Sequence, residues 1–132
     1  MYSKRLSYKA DAEPFYKTIC HCTDCRRIVG AGSVAWFTVP RASLHWTGGE
    51  PANVRSSAKA VRRFCGTCGT SLSFESDETP DEIDVTTASL DEADAVPPKD
   101  HTRTASRFAW DIICDGLPVY SGTRRDGPPT DP

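Results

Sequence analysis

Five of the six cysteines fall in two short clusters, which restricts the possible folds more than any other feature of the chain. Cys20-His21-Cys22-Thr23-Asp24-Cys25 is a C-x-C-x-x-C run, and Cys65-Gly66-Thr67-Cys68-Gly69 is a C-x-x-C knuckle. A disulfide scaffold would spread its cysteines along the chain. The opening segment Met1-Tyr2-Ser3-Lys4-Arg5 lacks the apolar core of an export signal, so a cytoplasmic location and metal-ligating thiols are expected. The knuckle glycines permit left-handed backbone, which lets two sulfurs converge on one ion. A thiolate-rich tetrahedral site favours zinc.

The spacing leaves two arrangements open. In one, Cys22, Cys25, Cys65 and Cys68 close a single four-thiolate site and Cys20 is idle. In the other, Cys20, Cys22 and Cys25 hold a zinc with a vacant fourth position, as in catalytic zinc sites, and Cys65 and Cys68 belong to a separate structural site.

A chain of 132 residues, 38% of them hydrophobic, is expected to form one domain around one core. Sixteen Lys plus Arg against eighteen Asp plus Glu give a net charge of −2, which excludes a nucleic-acid binder acting through bulk charge. No apolar run approaches the ~18 residues of a membrane span, so no membrane partner is expected.

Short alternating segments recur: Leu6–Lys9, Phe15–Ile19, Ser33–Val39 ending at Pro40, Leu44–Trp46, a hairpin over 54–64 that leads into the knuckle, and Ser71–Phe74 after it. The clearest strand is Glu82–Leu90. Thr23–Val29 is the main helical candidate, with Gly30 as its stop. The pattern is all-β with little helix. The Gly- and Pro-bearing tail over 121–132 is expected to be disordered, which leaves 1–120 as the domain.

These motifs together resemble the glutathione-dependent formaldehyde-activating enzymes and their centromere-protein-V-like relatives. The likeness runs from about Leu6 to Tyr120. It rests on Cys20–Arg27, Thr47-Gly48-Gly49-Glu50-Pro51, Arg63–Thr70, Pro80–Val85, His101, Trp110 and Asp115–Tyr120. The resemblance implies a twisted β-tent fold of short antiparallel strands with zinc knuckles. It also implies a functional zinc on Cys20, Cys22 and Cys25, and a structural zinc shared by Cys65, Cys68 and an N-terminal C-x-C pair. Here Met1 and Ser3 stand where that pair belongs, and neither offers a thiolate.

The implied activity is that of a carbon–sulfur lyase resembling S-(hydroxymethyl)glutathione synthase, which acts on or carries thiol adducts of small aldehydes. Glutathione or another small thiol is then the partner. The alternatives are a non-enzymatic zinc module that binds a partner and, less well matched, a methionine sulfoxide reductase. Arg26 and Arg27 are candidates to moderate the charge of a thiolate site and to bind substrate, with Trp36 and His101 as further substrate-binding candidates. Trp110 is a candidate pocket wall that also reads as core. Strand alternation points His21 away from the metal. His45 reads as a packed or surface histidine, and Cys114 as a buried apolar thiol.

Overall fold

The computed structural model describes residues 6–132, so Met1 and Ser3 lie outside the described residues. Among the described residues the fold is mostly β with one α-helix, and the sheets do not close into a barrel. Its contacts group into two compact units, one of residues 6–15 and 37–96 and the other of residues 16–36 and 97–132. Length predicts one domain, and the composition of the tail bounds it at 1–120. The two groups arise because the chain leaves the first unit after Phe15, re-enters it at Phe37 and leaves it again after Val96.

In the first unit, β1 (Tyr8–Ala10) pairs antiparallel with β4 (Leu44–Trp46), in the register Tyr8 with Trp46 and Ala10 with Leu44. A larger sheet holds β5 (Ala52–Ser57), β6 (Ala60–Phe64), β7 (Ser71–Ser76) and β8 (Glu82–Thr86) as successive antiparallel neighbours, then β3 (Val34–Pro40). Period-two burial in β8 turns Ile83 and Val85 inward, where they pack with Phe37 and Val39. Glu82–Leu90 reads as one long strand, but β8 stops at Thr86. A short 3₁₀ turn over Thr87–Ser89 follows, and the Ser89 hydroxyl donates to the Thr86 carbonyl at 2.8 Å. This local side-chain bond satisfies a carbonyl that a continued ladder would otherwise use.

The knuckle joins β6 to β7. The Cys65 amide donates to the Thr70 carbonyl at 2.9 Å and the Gly69 amide to the Cys65 carbonyl at 2.7 Å. Gly69 takes φ +80°, which a side chain would strain. Leu72 is fully buried against Leu6 and Cys65. Leu72→Ala is therefore expected to destabilise the protein by about 2–5 kcal/mol, read from the midpoint of urea unfolding. A loss under about 1 kcal/mol would show that this cluster collapses around the gap.

In the second unit, β2 (Phe15–Cys20) pairs with β9 (Asp100–Thr102), with Ile19 beside His101 and Cys20 beside Thr102. This pair is parallel, a departure from the antiparallel arrangement expected. The sequence signals also miss β9, because all three of its residues are polar although all three are buried. The tail reads as disordered from its composition. In the structure Thr130 bridges Val119, and Arg124 grips the Asp100 carboxylate with two hydrogen bonds of 2.9 Å. A bidentate guanidinium–carboxylate pair is among the stronger polar contacts, and composition does not report it. Cys114, read as buried, is exposed, and its neighbour Ile113 takes the inward position. No helix of the described residues is long and apolar enough to cross a membrane.

Candidate functional site

Strand β2 ends at Cys20, and helix α1 (Thr23–Val29) begins three residues later. The Cys22 sulfur accepts the Cys25 amide at 3.3 Å and so caps the helix. At the other end Gly30 adopts φ +72° and donates to the Arg26 carbonyl. Asp24 in the first turn and Arg26 and Arg27 in the last complement the helix dipole. This junction gathers three thiols. The Sγ atoms of Cys20, Cys22 and Cys25 all lie within 4.8 Å of one another, and no other side chain of the described residues joins the group.

Cys20 and Cys25 are buried and Cys22 is half-buried. The Cys22 sulfur, then the Cys25 sulfur and then burial push the Cys20 thiol far above its ordinary range. Three thiolates this close repel one another unless a cation lies among them. A bound cation reverses that balance and draws the protons off. Three sulfurs on one short junction, unable to ionise together by themselves, are a donor set that fits a soft divalent ion such as zinc.

The loop between the sulfurs is held from behind. His21 is buried, its amide donates to the Thr102 carbonyl at 3.0 Å, and its carbonyl accepts from the Ser106 hydroxyl at 3.0 Å. Its Nε2 lies 2.9 Å from His101 Nδ1, and His101 Nε2 lies 2.7 Å from Asp115 Oδ2. The Asp115 carboxylate only accepts, so His101 donates to it from Nε2 and accepts from His21 at Nδ1. Burial first, and then the neighbouring His101, hold His21 below its usual pKa and so neutral. Burial raises the Asp115 carboxyl, but the hydrogen bonds from His101 and the Leu117 amide outweigh it and leave the group below its ordinary range. His21 Nδ1 is buried without a hydrogen bond, 3.7 Å from Asp111 Oδ2.

Beside α1 runs an open groove of ≈ 590 Å³, lined by Thr23, Arg26, Arg27, Gly32, Phe108 and Trp110 among others. Arg26 donates to the Thr23 hydroxyl at 3.2 Å, and its guanidinium sits 3.9 Å over the Phe108 ring. Phe108 stacks in turn on Trp110, with ring centres 4.7 Å apart and planes 11° apart.

Residues 2–106 match the family profile of the glutathione-dependent formaldehyde-activating enzymes. The chain belongs to this family. A Rhodobacter sphaeroides protein of known crystal structure shares the fold. It has a TM-score of 0.56 at 22% identity, over 67% of this chain and 82% of that one. No curated protein is significantly similar in sequence.

Within this family member, Cys20 stands with Cys22 and Cys25, whereas the four-thiolate arrangement left it idle. Arg26 and Arg27 line the groove, and so does Trp110, which also read as a core residue. Trp36 is buried, its Nε1 has no hydrogen-bond partner, and it does not line the groove. His101 is also buried, between His21 and Asp115. In the first unit Cys65 is buried, and the Cys68 sulfur lies 3.0 Å from the Thr70 hydroxyl. Sequence reasoning missed Phe108, Asp111 and Ser106. Their only signal is proximity to Trp110, since no spacing rule links residues 80 positions apart to a cysteine loop.

Proposed function

We propose that the protein is a zinc-dependent carbon–sulfur lyase acting on glutathione adducts of small aldehydes, such as S-(hydroxymethyl)glutathione. The convergence of the Cys20, Cys22 and Cys25 sulfurs carries this reading, and membership of the family supports it. These three cysteines would hold the ion, which when bound supplies Lewis-acid stabilisation of a deprotonated thiol. Cys65 and Cys68 are given a structural role. The reactive site is assigned to the triplet because its three sulfurs converge, whereas Met1 and Ser3 leave the knuckle without the C-x-C pair of the resembled structural site.

In the synthetic direction the glutathione sulfur adds to the aldehyde carbon. A C–S bond forms, the carbonyl π pair moves to oxygen, and the thiol proton ends on that oxygen. The reverse step breaks the same bond and returns the proton to sulfur. Arg26 and Arg27 neutralise and orient the carboxylates of the tripeptide, and the Phe108–Trp110 wall excludes water from one side of it. His21, His101 and Asp115 keep the cysteine loop in place.

Titration calorimetry of the zinc-loaded protein with glutathione tests this reading. Heat of binding that disappears in Cys22→Ser is the expected outcome. Absence of heat in the unaltered protein would favour a zinc module that binds some other partner.

A further inference from the structure

We propose that the groove beside α1 selects thiol conjugates carrying both a carboxylate and a flat apolar group. The protein's substrates would then be glutathione adducts of aromatic or other planar aldehydes rather than of formaldehyde alone. This inference rests on the assignment of the cysteine triplet as the site of the conjugate's sulfur.

The charge of the groove specifies half of the ligand. Two arginines line it and no carboxylate does. Arg27 is exposed and has no ion-pair partner among the described residues. Arg26 is held by Thr23 and by the Phe108 ring, and its Nε is buried without a hydrogen bond. Its guanidinium is thus fixed in direction by neutral groups and is not neutralised by an acid. Two such cations on consecutive residues suit a carboxylate, which a guanidinium can grip with two parallel hydrogen bonds.

The aromatic wall specifies the other half. Arg26 covers one face of Phe108 and Trp110 stacks on that ring, so Phe108 is already engaged. Trp110 nevertheless remains 71% exposed. A tryptophan held in a fixed plane by stacking, yet left in water, presents a preorganised apolar surface at little further entropic cost. Gly32 completes the floor. A Cβ built there would press on Asp111 Oδ2 at 3.2 Å and meet the Trp110 ring in ordinary contact at 3.6 Å, so glycine leaves the carboxylate its room and the indole uncovered on that side. Thr23 and Arg26 directly follow Cys22 and Cys25 in the chain. The β2–α1 junction therefore carries the three sulfurs, and the helix that leaves it lines one side of the groove. A hydroxymethyl group has no surface to offer the indole, whereas a planar substituent does.

Calorimetry of the zinc-loaded full chain with two thioethers, S-methylglutathione and S-benzylglutathione, tests the proposal. Neither carries a free thiol, so their comparison reads the groove without the sulfur step. The benzyl compound is expected to bind about 3- to 10-fold more tightly. That ratio should fall to near one in Trp110→Ala and recover in Trp110→Phe, with circular dichroism and zinc content unchanged. Arg27→Ala should weaken both compounds several-fold and leave their ratio intact. Equal binding of the two, no binding of either, or a ratio that survives Trp110→Ala would overturn the proposal. Free glutathione that binds without dependence on Cys22, beside a Trp110-dependent benzyl preference, would instead overturn the lyase reading alone.

Discussion

Cys20→Ser is expected to strip the metal from the triplet, while Cys65→Ser leaves the triplet metal in place. The reason lies in the donor set. Cys20, Cys22 and Cys25 are the members of the group, and removing one leaves two thiolates and a hydroxyl that stays protonated at neutral pH. Zinc sites in small domains contribute on the order of 10 kcal/mol of apparent binding free energy, so losing a thiolate should be visible as a stoichiometric loss of ion. Part of that energy is folding energy, because a cation shared by the three sulfurs cross-links the β2–α1 junction only in the folded chain. A chelator should therefore lower the thermal midpoint of the unaltered protein and move that of Cys20→Ser far less. Metal analysis of the two variants, followed by thermal melts with and without chelator, is the check. Loss of the same ion in both variants would restore the single four-thiolate site.

His101→Ala is expected to weaken the fold and the retention of metal together. The substitution removes the acceptor for His21 Nε2 and the donor to Asp115 at once. A buried donor left without a partner costs about 1–3 kcal/mol, and the vacated ring adds a cavity cost. The Asp115 side chain is 43% exposed, so water recovers much of that half of the loss. A destabilisation of about 2–4 kcal/mol is expected, together with weaker metal retention, because His21 sits between Cys20 and Cys22. Asn keeps an acceptor near the Nδ1 position for His21, and Gln keeps a donor near the Nε2 position for Asp115. If the chain of hydrogen bonds positions the cysteine loop, Asn should rescue metal retention better than Gln, while both recover part of the stability. Chelator competition and denaturant unfolding on the three variants separate this from simple loss of packing, in which Asn and Gln would rank by volume.

Much of the site is visible in the chain because it is local. Cys20, Cys22 and Cys25 occupy six consecutive residues, and the strand–turn–helix that gathers them is marked by alternation in Phe15–Ile19, by Gly30 and by the acidic and basic ends of α1. Contacts a few residues apart follow from backbone geometry, so the spacing offers this triplet as one of the two arrangements it allows. The all-β character has the same origin, since alternation and turn residues act over short stretches.

The remainder required distant segments to meet. His101 lies 80 residues from His21, and its burial between His21 and Asp115 cannot be inferred from either neighbourhood. Strand β9 is polar and gains its order from hydrogen bonds supplied by β2 and by residues 118–120. Trp110 is an aromatic residue of the kind that fills cores, yet in the structure it stacks on Phe108 and stays largely in water. The sequence by itself therefore determined which sulfurs are near enough in the chain to meet and what class of fold carries them, because those features depend on neighbouring residues, while the structure decided that Cys20 joins Cys22 and Cys25. Only the tertiary structure decided what braces the cysteine loop and which surfaces are left to meet a ligand. Those depend on contacts between segments far apart in the chain, which no local pattern encodes.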